Sequence, residues 1–313
     1  MKSIRILDGG MSRELVRLGA QLRQPEWSAL ALIDNPQIVR RVHEEFIAAG
    51  ADVVTTNSYA LVPFHIGEER FRAEGRSLIA LAGRLAREAA ASAPDRGVLV
   101  AGSLPPIFGS YEPQSFRSDL VQDYLTILVE ELAPHVDVWL GETLSLIAEA
   151  EAVQQAVAGT GKPFWISFTL EDEPGAEARP AALRSGESVA QAAHWIAGSG
   201  ASALLFNCSR PEVMRRAVEE SAAVFAKQAR FIEIGVYANA FAADESGAAN
   251  EALHAIRDDL SADRYATFAC AWVDSGATMI GGCCGVGAAH IHRISTRLRG
   301  TKQRLSRALT NSP

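Results

Sequence analysis

An eightfold alternation limits what this chain can become more than any other feature. Short aliphatic or β-branched runs fall at residues 4–8, 52–57, 98–103, 136–142, 164–170, 203–208, 231–237 and 278–283, and longer segments of helical character separate them. In the segment 118–132, apolar residues recur at Leu120, Val121, Tyr124, Leu125, Leu128 and Leu132, which places them on one helical face. The segment after the sixth run repeats this with Val213, Met214, Ala217, Val218 and Phe225, and a last helix is expected from 288 to 298. Strand followed by helix, repeated, is the pattern of a parallel sheet with helical crossovers. Eight units without a linker between them predict an α/β protein made of a single-domain (β/α)8 barrel over residues 1–300. At 313 residues the chain exceeds the roughly 250 typical of that fold, and the excess is expected in loops. An open doubly wound sheet would carry a Gly-rich dinucleotide turn after its first strand, and Asp8-Gly9-Gly10 is not that fingerprint. Residues 301–313, polar and basic, are expected to fray.

A formal charge of −7 argues against nucleic acid or an acidic membrane surface as partner. No run approaches the roughly 20 apolar residues of a membrane span, and the N-terminus reaches Asp8 before an export signal can form. Four cysteines are too few for a disulfide framework in a chain of this length. A cytoplasmic, reducing setting and a small-molecule substrate are the expectation.

In a barrel, residues at the C-terminal ends of the strands share one face, and active sites lie there. Asp8, Asn57, Ser103, Glu142, Cys208, Asn239 and the pair Cys283-Cys284 all fall at or just beyond such ends. The loops 103–115 and 171–186 belong to the same face and are long enough to act as lids. Cys283 and Cys284 sit between glycines after an apolar run. Adjacent side chains of a strand point to opposite faces, so both thiols converge only if the chain turns sharply there. With Cys208 they would supply three sulfur ligands to a zinc ion and leave its fourth position open, as in catalytic sites. The plainer readings are three small buried side chains or a strained Cys283–Cys284 disulfide. Cys270 lies inside a helical run and reads as core, while His290 and His292 read as surface residues.

An all-sulfur shell suits a thiol as incoming ligand, because a coordinating thiol is deprotonated outright, against a free pKa of roughly 8.5. Zinc with three thiolates carries one net negative charge, so a fourth sulfur stays electron-rich and able to attack carbon. Asp8 and Glu142 are read as gripping a substrate ammonium group. Alternatives are a general acid/base pair or, for Glu142, a first-turn acid complementing a helix dipole. Gly9, Gly10 and the amides after the second strand would take a carboxylate.

Asp8-Gly9-Gly10 with Glu14-Leu15, Thr55-Thr56-Asn57-Ser58-Tyr59, Glu142-Thr143, Asn207-Cys208-Ser209, Tyr237-Ala238-Asn239 and Gly281-Gly282-Cys283-Cys284-Gly285 occur in the order and spacing of the homocysteine S-methyltransferase family. The chain resembles that family over about residues 4–298. The resemblance implies a zinc-dependent barrel that methylates homocysteine to methionine. It makes Cys208, Cys283 and Cys284 the zinc ligands, Asp8 and Glu142 homocysteine-binding residues, and Asn239 a neighbour of the fourth zinc position. Ala238 and Ala240-Phe241 depart from the family's Tyr-Pro-Asn-Ala-Gly element, and Val286-Gly287-Ala288 departs from its threonine-rich turn. A stand-alone chain of this size resembles the members that use a sulfonium donor, S-methylmethionine or S-adenosylmethionine, and Phe108 and Tyr111 are candidates to face it by cation–π contact. Two other readings remain: a phosphate-binding barrel using the glycine loop 281–287, and a thiol- or amino-acid-binding protein with a structural zinc.

Overall fold

A computed structural model describes residues 3–228, 231–241 and 257–310. Eight parallel strands follow the expected runs: β1 Arg5–Ile6, β2 Val53–Thr55, β3 Leu99–Leu104, β4 Val138–Leu144, β5 Phe164–Phe168, β6 Ala203–Asn207, β7 Glu233–Tyr237 and β8 Met279–Ile280. Around them lie α1 Met11–Arg17, α2 Ser28–Asp34, α3 Pro36–Ala49, α4 Pro63–Ile66, α5 Glu68–Ala91, α6 Val121–Leu132, α7 Ile147–Val157, α8 Val189–Ser199, α9 Pro211–Phe225, α10 Ala262–Asp274 and α11 Ala288–Thr310. The last helix continues well past Leu298, to Thr310. The strands pair in the order β1-β8-β7-β6-β5-β4-β3-β2, every pair parallel. This is the (β/α)8 barrel that the alternation predicts.

Two apolar layers hold it. Inside the barrel, Leu7, Val53, Ala101, Val138, Leu140, Trp165, Leu205 and Met279 fill the axis. Between sheet and helices runs a larger layer that includes Phe46, Leu85, Trp139, Phe206, Tyr265 and Trp272. Alternation along each strand explains the division: in β6, Ala203 and Leu205 point in while Leu204 and Phe206 point out.

The seam between β1 and β2 is closed partly by side chains. The Asp52 N–H donates to Ile6 O at 2.7 Å, and the Ile6 N–H donates to Asp52 Oδ2 at 2.9 Å. One step further along, the Thr55 N–H donates to Asp8 Oδ2 at 2.7 Å, so a carboxylate stands where the ladder would offer a carbonyl.

A candidate thiol-activating site

At β8 the chain leaves the ladder earlier than the apolar run suggests, and the reason lies in the turn that follows. The Val286 N–H donates to Cys283 O at 3.0 Å, with Gly285 at φ +82°, a conformation open to glycine. Cys283 and Cys284 thereby face the same side. From β6, Cys208 arrives at φ +48°, an uncommon backbone region for a residue with a Cβ. The three Sγ atoms lie within 4.8 Å of one another. Cys208 and Cys283 are joined as a disulfide, and the Sγ atoms of Cys283 and Cys284 are 3.9 Å apart. The vicinal Cys283–Cys284 pairing is therefore not formed.

Ligands on a tetrahedral ion with metal–sulfur bonds of about 2.3 Å stand roughly 3.8 Å apart. The Cys283–Cys284 separation already has that value, and once reduced the set offers three thiolates, a donor type that suits zinc. Burial pushes the Cys284 thiol up to about 11, so loading a metal there must release a proton.

Asp8 and Glu142 line the same cleft as the cysteines. Asp8 accepts from Thr55 N and, at 3.2 Å, from Thr55 Oγ1. Glu142 accepts from Ser103 Oγ at 2.5 Å and Tyr237 OH at 3.3 Å. Both carboxyls are raised to about 7: burial is the main cause for each, and for Asp8 the charge of Glu142 adds to it. A cation placed between them would restore both to the ionised state. Glu142 is not a helix first-turn acid. It lies within β4, at a register shift between Gly141 and Leu144, and the first-turn acid of α7 is Glu149.

That bulge has a clamp. Thr143 sits at φ +62°, and Asn207 holds it: Asn207 Oδ1 accepts from Thr143 N at 3.0 Å and Ser167 Oγ at 2.7 Å, while Nδ2 donates to Thr143 Oγ1 at 2.8 Å. Sequence reasoning passed over Asn207 except as part of a motif. The signal was its position, one residue before Cys208 on a buried strand.

Gly9 and Gly10 line the cleft, but the Gly10 amide is already committed to Val286 O at 2.9 Å and is not free for a carboxylate. Their smallness serves approach: a Cβ on Gly10 would stand 2.5 Å from Cys283 O. Asn57 also lines the cleft, and its Nδ2 donates to Ser28 O at 3.3 Å, fixing the neighbouring loop. Asn239 lies in a segment bonded to both cysteine turns, its N–H donating to Ser209 O at 3.1 Å and the Ala240 N–H to Cys284 O at 2.8 Å. It is buried, and its Oδ1 accepts from Phe241 N at 3.4 Å, an Asx-type turn. His290 is half-buried rather than on the surface: it packs edge-on to Tyr265 and bridges Gly287 N and Leu260 O at the start of α11.

The wall of the cleft is aromatic, with Trp27, Tyr59, Tyr111, Tyr237 and Phe241. Tyr111 comes from the loop after β3, and Arg184, from the loop after β5, lies over its ring at 4.3 Å and pairs with Asp172 at 2.8 Å. Phe108 instead packs against Tyr124. The cleft is open at its mouth and holds about 1040 Å³ of empty space, the solvent at the mouth included. The glycine loop after β8 does not form a phosphate cradle: the amides of Gly281, Gly282, Cys283, Val286 and Gly287 all donate within the protein, and two acids face the same space.

The family model described as homocysteine S-methyltransferase matches residues 5–298. Homocysteine S-methyltransferase 1 of Brassica oleracea var. italica is 30% identical, covering 94% of this chain and 93% of that one. The metallated form of the homocysteine methyltransferase MmuM from Escherichia coli superposes with a TM-score of 0.76 at 28% identity, over 95% of this chain and 96% of that chain. The oxidized form of the same enzyme gives 0.75 at 29% identity, over 94% and 96%. With its barrel, its three converging cysteines and a family match across nearly its whole length, this chain belongs to the homocysteine S-methyltransferase family.

Proposed function

We propose that the protein moves a methyl group from a sulfonium donor, S-methylmethionine or S-adenosylmethionine, to the sulfur of homocysteine, giving methionine, with zinc held by Cys208, Cys283 and Cys284. The observation that carries this reading is the meeting of three sulfurs within 4.8 Å on the wall of a cleft that also contains two buried acids. A zinc ion in that shell supplies a lowered pKa to a thiol entering its open position.

The chain's own residues do the rest. Asp8 and Glu142 hold the ammonium group of homocysteine, which keeps both carboxylates ionised. Thr55, Ser103 and Tyr237 fix those carboxylates by hydrogen bonds and so fix the position of the amino acid. The amides of Gly9 and Asn57, which donate to no acceptor among the described residues, take its carboxylate. The aromatic wall of Trp27, Tyr59 and Tyr111 faces the onium centre, where ring quadrupoles attract a cation without hydrating it. In the transfer, the homocysteine thiol loses its proton to solvent and a sulfur lone pair forms the new bond to the methyl carbon. The donor's carbon–sulfur bond breaks with its electron pair remaining on the donor sulfur, which leaves as a neutral thioether. No general acid is required, since the leaving group needs no proton.

The test uses the reduced, zinc-loaded full chain with homocysteine and, side by side, S-methylmethionine, S-adenosylmethionine and betaine. One zinc per chain and methionine formed from a sulfonium donor are expected, and both are expected to be lost in Cys208→Ser. A Cys208→Ser protein that keeps its metal and its turnover would falsify the reading.

A further inference from the structure

One ring of the aromatic wall is held against the preference of its own backbone. Tyr111 sits at φ +67° in the loop between β3 and α6, a region that a bulky side chain occupies only when its surroundings impose it. The residue before it is tied to the loop after β2, where Ser110 Oγ and Tyr59 OH are hydrogen-bonded at 2.5 Å. The ring itself is covered by Arg184, whose guanidinium carbon lies 4.3 Å from its centre, well inside the range of a cation–π contact. Arg184 is fixed at its root and at its tip. Its N–H donates to Thr169 O at 3.3 Å, the Ser185 N–H donates to Ser145 O at 3.1 Å, and Arg184 Nη2 donates to Asp172 Oδ1 at 2.8 Å. Asp172 is anchored in turn: its Oδ2 accepts from the N–H of Arg210, two residues after Cys208, at 3.0 Å, and its carbonyl accepts from Arg210 Nε. Arg184 Nε is buried with no hydrogen-bond partner among the described residues. Leaving a buried N–H unpaired is costly, and what this position offers in exchange is the face of the Tyr111 ring. The loop after β5 thus spans from the β6 cysteine turn to the loop after β3.

We infer that Arg184 is a positioning residue that holds the Tyr111 ring in the cleft wall, with Asp172 setting the direction of its guanidinium. A planar guanidinium stacks on an aromatic face in a way that a lysine ammonium reproduces only in part. Without that cover, Tyr111 is free to relax out of its left-handed backbone conformation and withdraw its ring from the wall. For catalysis the inference rests on the methyl-transfer reading, in which Arg184 acts on the sulfonium donor through Tyr111.

Amide hydrogen exchange of the full chain reads this hold without any substrate. In Arg184→Met the loop 103–115 is expected to exchange about 2- to 30-fold faster, the range a cation–π contact supplies, while β5 and β6 keep their protection. Tyr111→Leu should give a similar rise, and adding Arg184→Met to it should contribute less than about twofold more, because both changes remove one shared interaction. Arg184→Lys, which keeps a cation, should stay nearer to wild type and serves as the variant if Arg184→Met does not fold. In the zinc-loaded protein, with S-methylmethionine and S-adenosylmethionine in turn, Arg184→Met should raise the KM for the donor that turns over by about 2- to 30-fold and shift the KM for homocysteine by less than about twofold. Unchanged exchange in the loop overturns the assignment, as does an equal acceleration with and without the Tyr111 ring, which would mean that Arg184 acts elsewhere. A KM raised alike for both substrates also overturns it, as the mark of a general structural role. A wild-type protein that methylates nothing, yet shows exchange coupled between positions 111 and 184, refutes the transfer and keeps the hold on the ring.

Discussion

Replacing Asn207 with alanine tests whether the site is held by its clamp. Three hydrogen bonds disappear at once, to Thr143 N, Thr143 Oγ1 and Ser167 Oγ, all from fully buried positions. At about 1 kcal/mol net for each, the bonds account for about 3 kcal/mol, and the Thr143 N–H, left unpaired in the interior, adds about 1 to 2 kcal/mol. Some of this returns, because Thr143 is then free to leave φ +62°, a conformation that costs about 1 kcal/mol. The balance is a loss of about 3 to 4 kcal/mol, readable in urea unfolding as a midpoint lowered by roughly 1 M for a slope near 3 kcal/mol/M. The release also has a direction. Thr143 follows Glu142 in the β4 bulge and Asn207 precedes Cys208, so both the acid proposed to bind ammonium and a proposed metal ligand lose their register. Homocysteine affinity and zinc stoichiometry should therefore fall with stability, and Thr143→Gly, which tolerates the left-handed backbone, should recover part of the loss in the double variant. A loss below about 1 kcal/mol would refute the clamp, as would a fully destabilised protein whose homocysteine affinity is untouched.

Gly10→Ala pushes a methyl group to within 2.5 Å of Cys283 O, so it should displace the cysteine turn and lower zinc content while circular dichroism still reports a folded barrel; full metal content would contradict the close approach. His43 is buried with neither ring nitrogen hydrogen-bonded among the described residues, and burial lowers its pKa to about 4 from 6.5. Because the unfolded chain binds the proton first, the native state keeps its full advantage above pH 6.5 and loses about 3 kcal/mol as pH falls from 6.5 to 4. His43→Leu should remove that slope and raise stability at neutral pH by about 1 to 2 kcal/mol; an unchanged pH profile in denaturant titrations would disprove it.

The barrel was legible because each strand is a short aliphatic run with a strong helix behind it, as in 203–208 followed by α9. Of the candidate site, the convergence of Asp8, Glu142, Cys208, Cys283 and Cys284 on one cleft was legible from their places at strand ends. What escaped was set by backbone conformations that no residue type announces. Trp27 at φ +51°, Tyr111 at +67° and Thr143 at +62° are all non-glycine residues on the cleft, and their placement depends on tertiary contacts rather than local preference. The local turn at Asn239 was not legible for a related reason: a short amide side chain can satisfy the backbone two residues on.

Asp8 belongs to two structures at once. One carboxylate oxygen serves as a stave joint, receiving the Thr55 amide where the first and second strands fail to knit by backbone alone, while the same group lines the cleft. The lining of the cleft and the closure of the barrel therefore cannot be tuned separately: any side chain that replaces this one must still accept a hydrogen bond from the Thr55 amide, and few besides aspartate are short enough to do both.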